Sequence, residues 1–89
     1  MGLSVITRDV TDREGKIVVQ GDTMEEVTSI GARNMVLREA AAAGLSRPGV
    51  SGVAPAYPVD AEGKSDDDVI MGRSPVAGYR CDYPVAAGL

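Results

Sequence analysis

Residues 40–49 read AAAAGLSRPG, and the character of the chain changes at this stretch. Its four alanines have the strongest helix propensity available, whereas Gly44 and Pro48 are residues that commonly end a helix. All five prolines and all three tyrosines of the 89-residue chain come after Gly44, together with six of the eleven glycines. We therefore predict a compact unit over residues 1–45 and an extended arm over residues 46–89.

Upstream of this boundary, the sequence predicts a β-hairpin. Residues 3–10 are rich in β-branched side chains, and residues 16–20 contain three consecutive apolar ones. The segment 11–15 between them combines Asp12 and Gly15, two residues that favour turns. Since apolar side chains fall on both faces of this hairpin, we expect one face to be covered and the other to pair or associate.

One long helix is predicted over residues 23–43. Two capping boxes fit its start, either Thr23 with Glu26 or Asp22 with Glu25. Further along, apolar side chains recur at roughly helical spacing, and the charged residues between them are expected to form a solvated face. The apolar positions are Met24, Val27, Ile30, Met35, Leu37, Ala41 and Leu45, and the charged ones are Arg33, Arg38 and Glu39.

The arm is not uniform along its length. Its early prolines favour extended backbone, and segment 62–68 is a polar turn with three consecutive aspartates. Apolar and polar residues then alternate over residues 77–85, a pattern typical of a strand with one buried face. We predict this strand near residues 76–83, at an edge of the sheet or ending at Pro84, because proline lacks a backbone donor.

The predicted fold class is therefore α+β: a β-hairpin packed on one long helix, followed by an extended Pro/Gly-rich arm that ends in a strand. Residues 1–45 contain no aromatic side chain, although large aromatics dominate the cores of small domains. A chain this short would therefore gain stability from a partner or from self-association.

Composition argues against several classes of function. The net charge is −4, and no basic cluster is present, which argues against direct nucleic-acid binding through phosphates. One cysteine and no histidine exclude an internal disulfide and imidazole base chemistry, and they argue against a zinc site. The N-terminal residues lack the pattern of a signal peptide, and no run approaches the ~20 apolar residues that span a bilayer. We expect a soluble protein, intracellular or assembled into a virion.

Three chemical candidates are each weaker than a structural alternative. Asp66, Asp67 and Asp68 do not have the spacing of a calcium loop, so a solvated loop is the better interpretation. Cys81 has no adjacent histidine or lysine to activate it, and we expect a buried structural cysteine. The glycines of segment 49–52 lack the lysine and the Ser/Thr of a phosphate-binding loop. We therefore predict no enzyme activity, no cofactor and no metal site.

The tyrosines and a short apolar run are the interaction candidates. Tyrosine is enriched at interfaces, and an extended segment with tyrosine and proline is a common composition for a docking arm. Alternatively, Tyr79 and Tyr83 complete the core of their own hairpin and helix. Both roles are compatible if the final strand adds to the sheet of a neighbouring copy. The predicted interaction residues are Tyr57, Tyr79, Tyr83, Val69, Ile70 and Met71.

Residues 16–27, which read KIVVQGDTMEEV, resemble the strand-to-helix junction of HicB-type antitoxin domains. This resemblance covers about an eighth of the chain and implies a strand followed by a capped helix. No function is carried over from it. The overall character, a small Ala/Val/Gly-rich domain with a long arm, is similar to accessory structural proteins of phage particles.

The function expected from these features is non-enzymatic. The leading hypothesis is a structural or assembly protein, such as a capsid or tail accessory subunit of a virion, whose C-terminal arm ties neighbouring subunits together. Its expected partners are copies of itself or a larger structural assembly. The alternative hypothesis is a small regulatory module, antitoxin-like or an acidic inhibitor, that wraps one partner.

Overall fold

The computed structural model describes residues 2–52 and 55–88, which form one antiparallel sheet and three helices. The strands β1 to β5 span Ser4–Val10, Glu14–Gly21, Pro48–Val50, Tyr57–Val59 and Gly78–Ala87. The helices α1 to α3 span Met24–Val27, Ile30–Ala42 and Asp67–Ile70. The α+β class and the hairpin packed against a helix are thus confirmed. Among the helices of these residues, none is long and apolar enough to cross a membrane.

The first hairpin, β1 with β2, is closed by a threonine. The Thr11 hydroxyl donates to the carbonyl oxygen of Glu14 at 2.9 Å and accepts from the Glu14 N–H at 3.2 Å. On β2, Ile17 and Val19 are fully buried against the helices, while the intervening Val18 faces the other side of the sheet. The prediction that apolar side chains fall on both faces of the hairpin is therefore confirmed.

The predicted start of the helix is also confirmed. Thr23 accepts a hydrogen bond from the Glu26 N–H at 3.2 Å, and the Glu26 carboxylate accepts from the Thr23 N–H at 3.1 Å. These reciprocal bonds form a capping box at α1. Backbone hydrogen bonds to the carboxylate lower the pKa of Glu26, and the first of these comes from the N–H of Asp22.

The helix is not continuous, because two hydroxyl side chains interrupt it. The Thr28 hydroxyl donates back to the carbonyl oxygen of Met24 at 2.9 Å. The Ser29 hydroxyl then accepts from the Ala32 N–H at 3.1 Å and becomes the N-terminal cap of α2. Such side chains compete with the backbone ladder, so the helix stops after one turn and begins again at Ile30.

This interruption changes the face that α2 presents to the sheet. The buried row consists of Ala32, Val36 and Ala40, all fully buried. Ile30 is 77% exposed and Met24 is exposed as well, so the expectation that they belong to the apolar face is wrong. Helical spacing counted across the break no longer describes one continuous face.

Strand β5 lies in the centre of the sheet. It pairs antiparallel with β2 from Glu14↔Ala86 to Gly21↔Tyr79, and with both β3 and β4 on its other side. The expectation of an edge strand at Pro84 is therefore wrong. The Pro84 carbonyl oxygen accepts from the Ser51 N–H at 2.8 Å, just beyond β3. In a strand, the backbone nitrogen and the carbonyl group of one residue point toward the same neighbouring strand. The nitrogen of Pro84, which has no hydrogen to donate, therefore lies on the side of β3 and β4, between their two ladders, and the ladder with β2 loses no hydrogen bond.

Buried apolar side chains lie on both faces of the sheet. The main core lies between the sheet and α1–α2, and Cys81, Tyr83 and Val85 of β5 belong to it. Val59 of β4 pairs with Gly78, which alternates with these residues and so faces the opposite side. There Val59 and Val69 of α3 are both buried. Helix α2 therefore covers one face of the sheet, and the segment that carries α3 covers part of the other.

Candidate interaction surfaces

Two of the predicted interaction tyrosines lie in the core of the chain itself. Tyr83 is 9% exposed, and its hydroxyl donates to the carbonyl oxygen of Val27 at 2.5 Å. Tyr79 is half-buried and packs against the same cluster. Burial raises the pKa of Tyr83 to about 12, because ionisation would place a charge in the core. These tyrosines supply the aromatic surface that the hairpin and helices lack.

The third tyrosine belongs to a polar cluster on the opposite face of the sheet. The Tyr57 hydroxyl donates to Asp82 Oδ1 at 2.6 Å, and Lys16 Nζ lies 3.9 Å from Asp82 Oδ2. Beside them, Arg80 Nε donates to Gln20 Oε1 at 2.7 Å. Burial and the hydrogen bond to Asp82 raise the pKa of Tyr57 to about 12. These groups satisfy one another, so the cluster holds β2, β4 and β5 together.

The predicted apolar run over residues 69–71 divides between core and surface. Asp66 Oδ1 accepts from the Val69 N–H at 3.1 Å, which caps α3 and fixes the orientation of the turn. Val69 is 2% exposed, whereas Ile70 and Met71 are 57% and 67% exposed. Of the six predicted interaction residues, Ile70 and Met71 are those that remain accessible.

Ile30 is one of the exposed large apolar residues that are not among the predicted interaction residues. It is the first residue of α2 and directly follows the Ser29 cap. The signal was present in the pair Thr28-Ser29, since both residue types favour caps and turns over helix interiors. Splitting the helix there would have placed Ile30 in an exposed first turn.

Cys81 borders a small cavity of about 200 Å³ beside the start of α2. Tyr83, Val50, Arg33 and Ile30 also line this cavity. Burial raises the pKa of the Cys81 thiol, so little of the reactive thiolate is present at neutral pH. The prediction of a buried cysteine is confirmed. Drug-sized ligands usually occupy pockets of roughly 300–1,000 Å³, so this cavity is small for them.

Two of the three consecutive aspartates form contacts within their own segment. Asp66 caps α3, and Asp68 Oδ1 accepts from Arg73 Nε at 2.9 Å. Within residues 2–52 and 55–88, no group of three or more His, Cys, Asp or Glu side chains is arranged to hold a metal ion. The remaining aspartate, Asp67, is exposed and adds negative charge beside Ile70.

No family model, curated protein or solved structure matches this chain. Among the described residues, six large apolar side chains are exposed. Two lie at the starts of α1 and α2, three lie in the segment around α3, and one lies at the bulge of β1. In that order they are Met24, Ile30, Ile70, Met71, Val76 and Ile6.

Proposed function

We propose that this protein is a non-enzymatic assembly subunit, such as a capsid or tail accessory component of a virion, that holds neighbouring subunits together. The observation that carries the proposal is the exposure of Ile70 and Met71, two adjacent large apolar side chains on a capped helical turn. Clustered exposed apolar side chains with polar surroundings are typical of contact surfaces between proteins.

In this proposal the arm acts through its middle segment, because its final strand belongs to the chain's own sheet. Residues 60–77 join β4 to β5 and carry α3. The turn before α3 is held by Asp60, whose Oδ1 accepts from the N–H groups of Glu62 and Lys64, each at 2.9 Å. A pre-ordered segment loses little conformational entropy on binding, which favours contact with another subunit.

The surroundings of the titratable groups with raised pKa values support an assembly role over a catalytic one. Tyr83 is bonded to the Val27 backbone, and Tyr57 is bonded to Asp82. Cys81 lies in the core beside Tyr83. Burial is the main cause of each raised pKa, and each group has a structural place in the fold.

The proposal is tested by isolating large assemblies from the native source and counting copies of this chain by quantitative mass spectrometry. We expect several copies per assembly and co-sedimentation with it. A stoichiometric complex with a single toxin or enzyme, and no larger assembly, would overturn the proposal in favour of the regulatory alternative.

A paired variant makes this test specific to the surface. Ile70→Ser with Met71→Ser is expected to remove the chain from the assembly without unfolding it, since both side chains are exposed. Ile6→Ser is the matched control, because Ile6 is an exposed apolar residue on β1, away from α3. Retention of the double variant at the level of the control would contradict the proposal.

A further inference from the structure

We infer that copies of this chain join head to tail, with the exposed side of α2 on one copy bound to the surface around α3 on the next. This inference rests on the proposed assembly function and names the partner as a second copy. The α2 surface consists of Ile30, Arg33, Leu37, Arg38 and Ala41, and the α3 surface consists of Asp67, Ile70 and Met71.

The α2 surface is an apolar line with a basic residue on each side. At 3.6 residues per turn, Ile30, Leu37 and Ala41 fall on one line of the helix, about 120° round from the buried row. Ile30 and Ala41 are exposed, and Leu37 is half-buried. Arg33 and Arg38 lie on the two sides of this line, and both are exposed. Neither arginine has an ion-pair partner in the part of the chain that the structure describes. Both positive charges are therefore available to a partner.

The α3 surface is apolar and acidic. Segment 60–73 contains five carboxylates and two basic residues. One of those basic residues, Arg73, is already paired with Asp68. Asp67 is exposed, lies one helical turn before Ile70 and Met71, and forms no ion pair among the described residues. Negative charge therefore lies beside the exposed side chains of α3.

The two surfaces complement each other in polarity and in charge. Apolar side chains on both can be buried together, while arginines on one face carboxylates on the other. A contact between two α2 surfaces would bring arginines together, and a contact between two α3 surfaces would bring carboxylates together. Both symmetric contacts are disfavoured by repulsion, so the charges select the contact between unlike surfaces.

The positions of the two surfaces determine the kind of assembly. Helix α2 covers one face of the sheet, and α3 packs on β4 over the other face, where Val69 and Val59 are both buried. When two different surfaces of one chain bind each other, each added copy leaves one surface free. Copies joined in this way form a ring or an open filament, which is the geometry expected of a repeating assembly subunit.

Sedimentation velocity of the full chain over a range of concentrations tests this inference. We expect species larger than a dimer that grow with concentration and shrink at high salt, because ions screen the charge contacts. A chain that stays monomeric into the millimolar range, or stops at a dimer, would overturn the inference. The proposed function would survive that result, since its partner would then be a different subunit.

Two variants, each lacking one surface, give a sharper test. Ile30→Ser with Arg38→Glu removes the α2 surface, and Ile70→Ser with Asp67→Lys removes the α3 surface. Each variant alone is expected to associate at least about tenfold more weakly than the unchanged chain. An equimolar mixture should form dimers and nothing larger, because each variant keeps one working surface. A mixture that remains monomeric would overturn the inference.

The matched control is Ile6→Ser with Arg13→Glu. It makes the same chemical changes on β1 and its turn, where both side chains are exposed. We expect this control to assemble like the unchanged chain, and circular dichroism shows whether every variant is folded. If this control lost assembly as strongly as the surface variants, the assignment of the contact to the α2 and α3 surfaces would be contradicted.

Discussion

The hydroxyl of Tyr83 donates a hydrogen bond to the carbonyl oxygen of Val27 at 2.5 Å. Val27 is the last residue of α1, and carbonyl groups at a helix end have no partner within the helix. Tyr83 lies on β5, the central strand, and the two residues are 56 positions apart in sequence. This bond therefore fastens the end of α1 to the middle of the sheet.

Replacing Tyr83 by phenylalanine is expected to lower the free energy of unfolding by about 1–2 kcal/mol. The ring would remain, but the Val27 carbonyl would be left buried without its partner. Urea denaturation measures this loss. Tyr79→Phe is the control, because the Tyr79 hydroxyl has no hydrogen bond within the described residues, and its effect should stay under about 0.5 kcal/mol. Equal losses for the two variants would contradict the assigned role.

Stability is expected to fall at high pH because of two tyrosines. The pKa values of Tyr57 and Tyr83 are raised to about 12, whereas an unfolded tyrosine ionises near pH ~10. Between about pH 10 and 12 the unfolded chain therefore binds fewer protons than the folded one, and the free energy of unfolding decreases as pH rises. Their contribution is fully present below about pH 10.

Urea denaturation of the unchanged chain at about pH 9 and about pH 11 measures this decrease. The double variant Tyr57→Phe with Tyr83→Phe should show a smaller decrease over the same window, although its stability is lower at both values. Identical pH dependence in the two proteins would show that other groups govern this range.

Gly31→Ala is expected to stabilise the protein by about 0.5 kcal/mol. Gly31 is exposed in the first turn of α2, and a Cβ added there would meet only Ser29 Oγ, at 3.6 Å. The gain comes from the lower conformational entropy of alanine in the unfolded chain. Thermal denaturation measures the change, and a lower melting temperature would contradict this account of α2.

The same substitution at Gly15 is expected to cost about 2 kcal/mol or more. A Cβ at this position would meet backbone on β1: the carbonyl oxygen of Asp9 and, at 2.6 Å, the Cα of Val10. Backbone atoms in a paired strand cannot move aside as a flexible side chain can. Comparing Gly15→Ala with Gly31→Ala by urea denaturation should give opposite signs, and a neutral Gly15→Ala would disprove this close approach.

The thiol of Cys81 is expected to react slowly in the folded protein. It is almost fully buried, and burial raises its pKa, so both access and thiolate content are low. A thiol-specific chromogenic reagent should react at least about tenfold faster in urea than under native conditions. Equal rates would place Cys81 at the surface and contradict its position in the core.

Local elements were predictable because their signals lie within a few residues. The turn with Asp12 and Gly15 predicts the hairpin, and Thr23 with Glu26 predicts the start of α1. The alternation over residues 77–85 predicts a strand with one buried face. In each case, a backbone hydrogen bond or a side-chain face is determined by neighbouring residues.

The order of the strands was not predictable from such signals. Alternation shows that β5 has a buried face, but not which strands lie beside it. Pro84 favours an edge strand unless its nitrogen, which cannot donate, faces the interval between two ladders. That interval exists beside β5 only because β3 and β4 are separate short strands. The position of β5 in the sheet therefore depends on pairing between segments that are distant in sequence.

The candidate surfaces were predictable in part, for a similar reason. Ile70 and Met71 were identified from the short apolar run, but the sequence alone could not distinguish them from Val69, which is buried where α3 packs on β4. Ile30 was missed because helical spacing was counted through Thr28 and Ser29. Composition shows apolar residues, whereas exposure depends on where each element begins and what lies against it.

The central place of β5 also constrains how the chain folds during synthesis. Strand β2 and its buried residues Ile17 and Val19 leave the ribosome long before their second partner strand exists. Until residues 78–87 emerge, the nascent chain has an unpaired sheet edge and a core without Tyr83, so the native sheet forms only after these residues are made. The segment that composition marks as an arm is thus the part that completes folding, and a ribosome-stalled chain lacking it would be sensitive to proteases and chaperones.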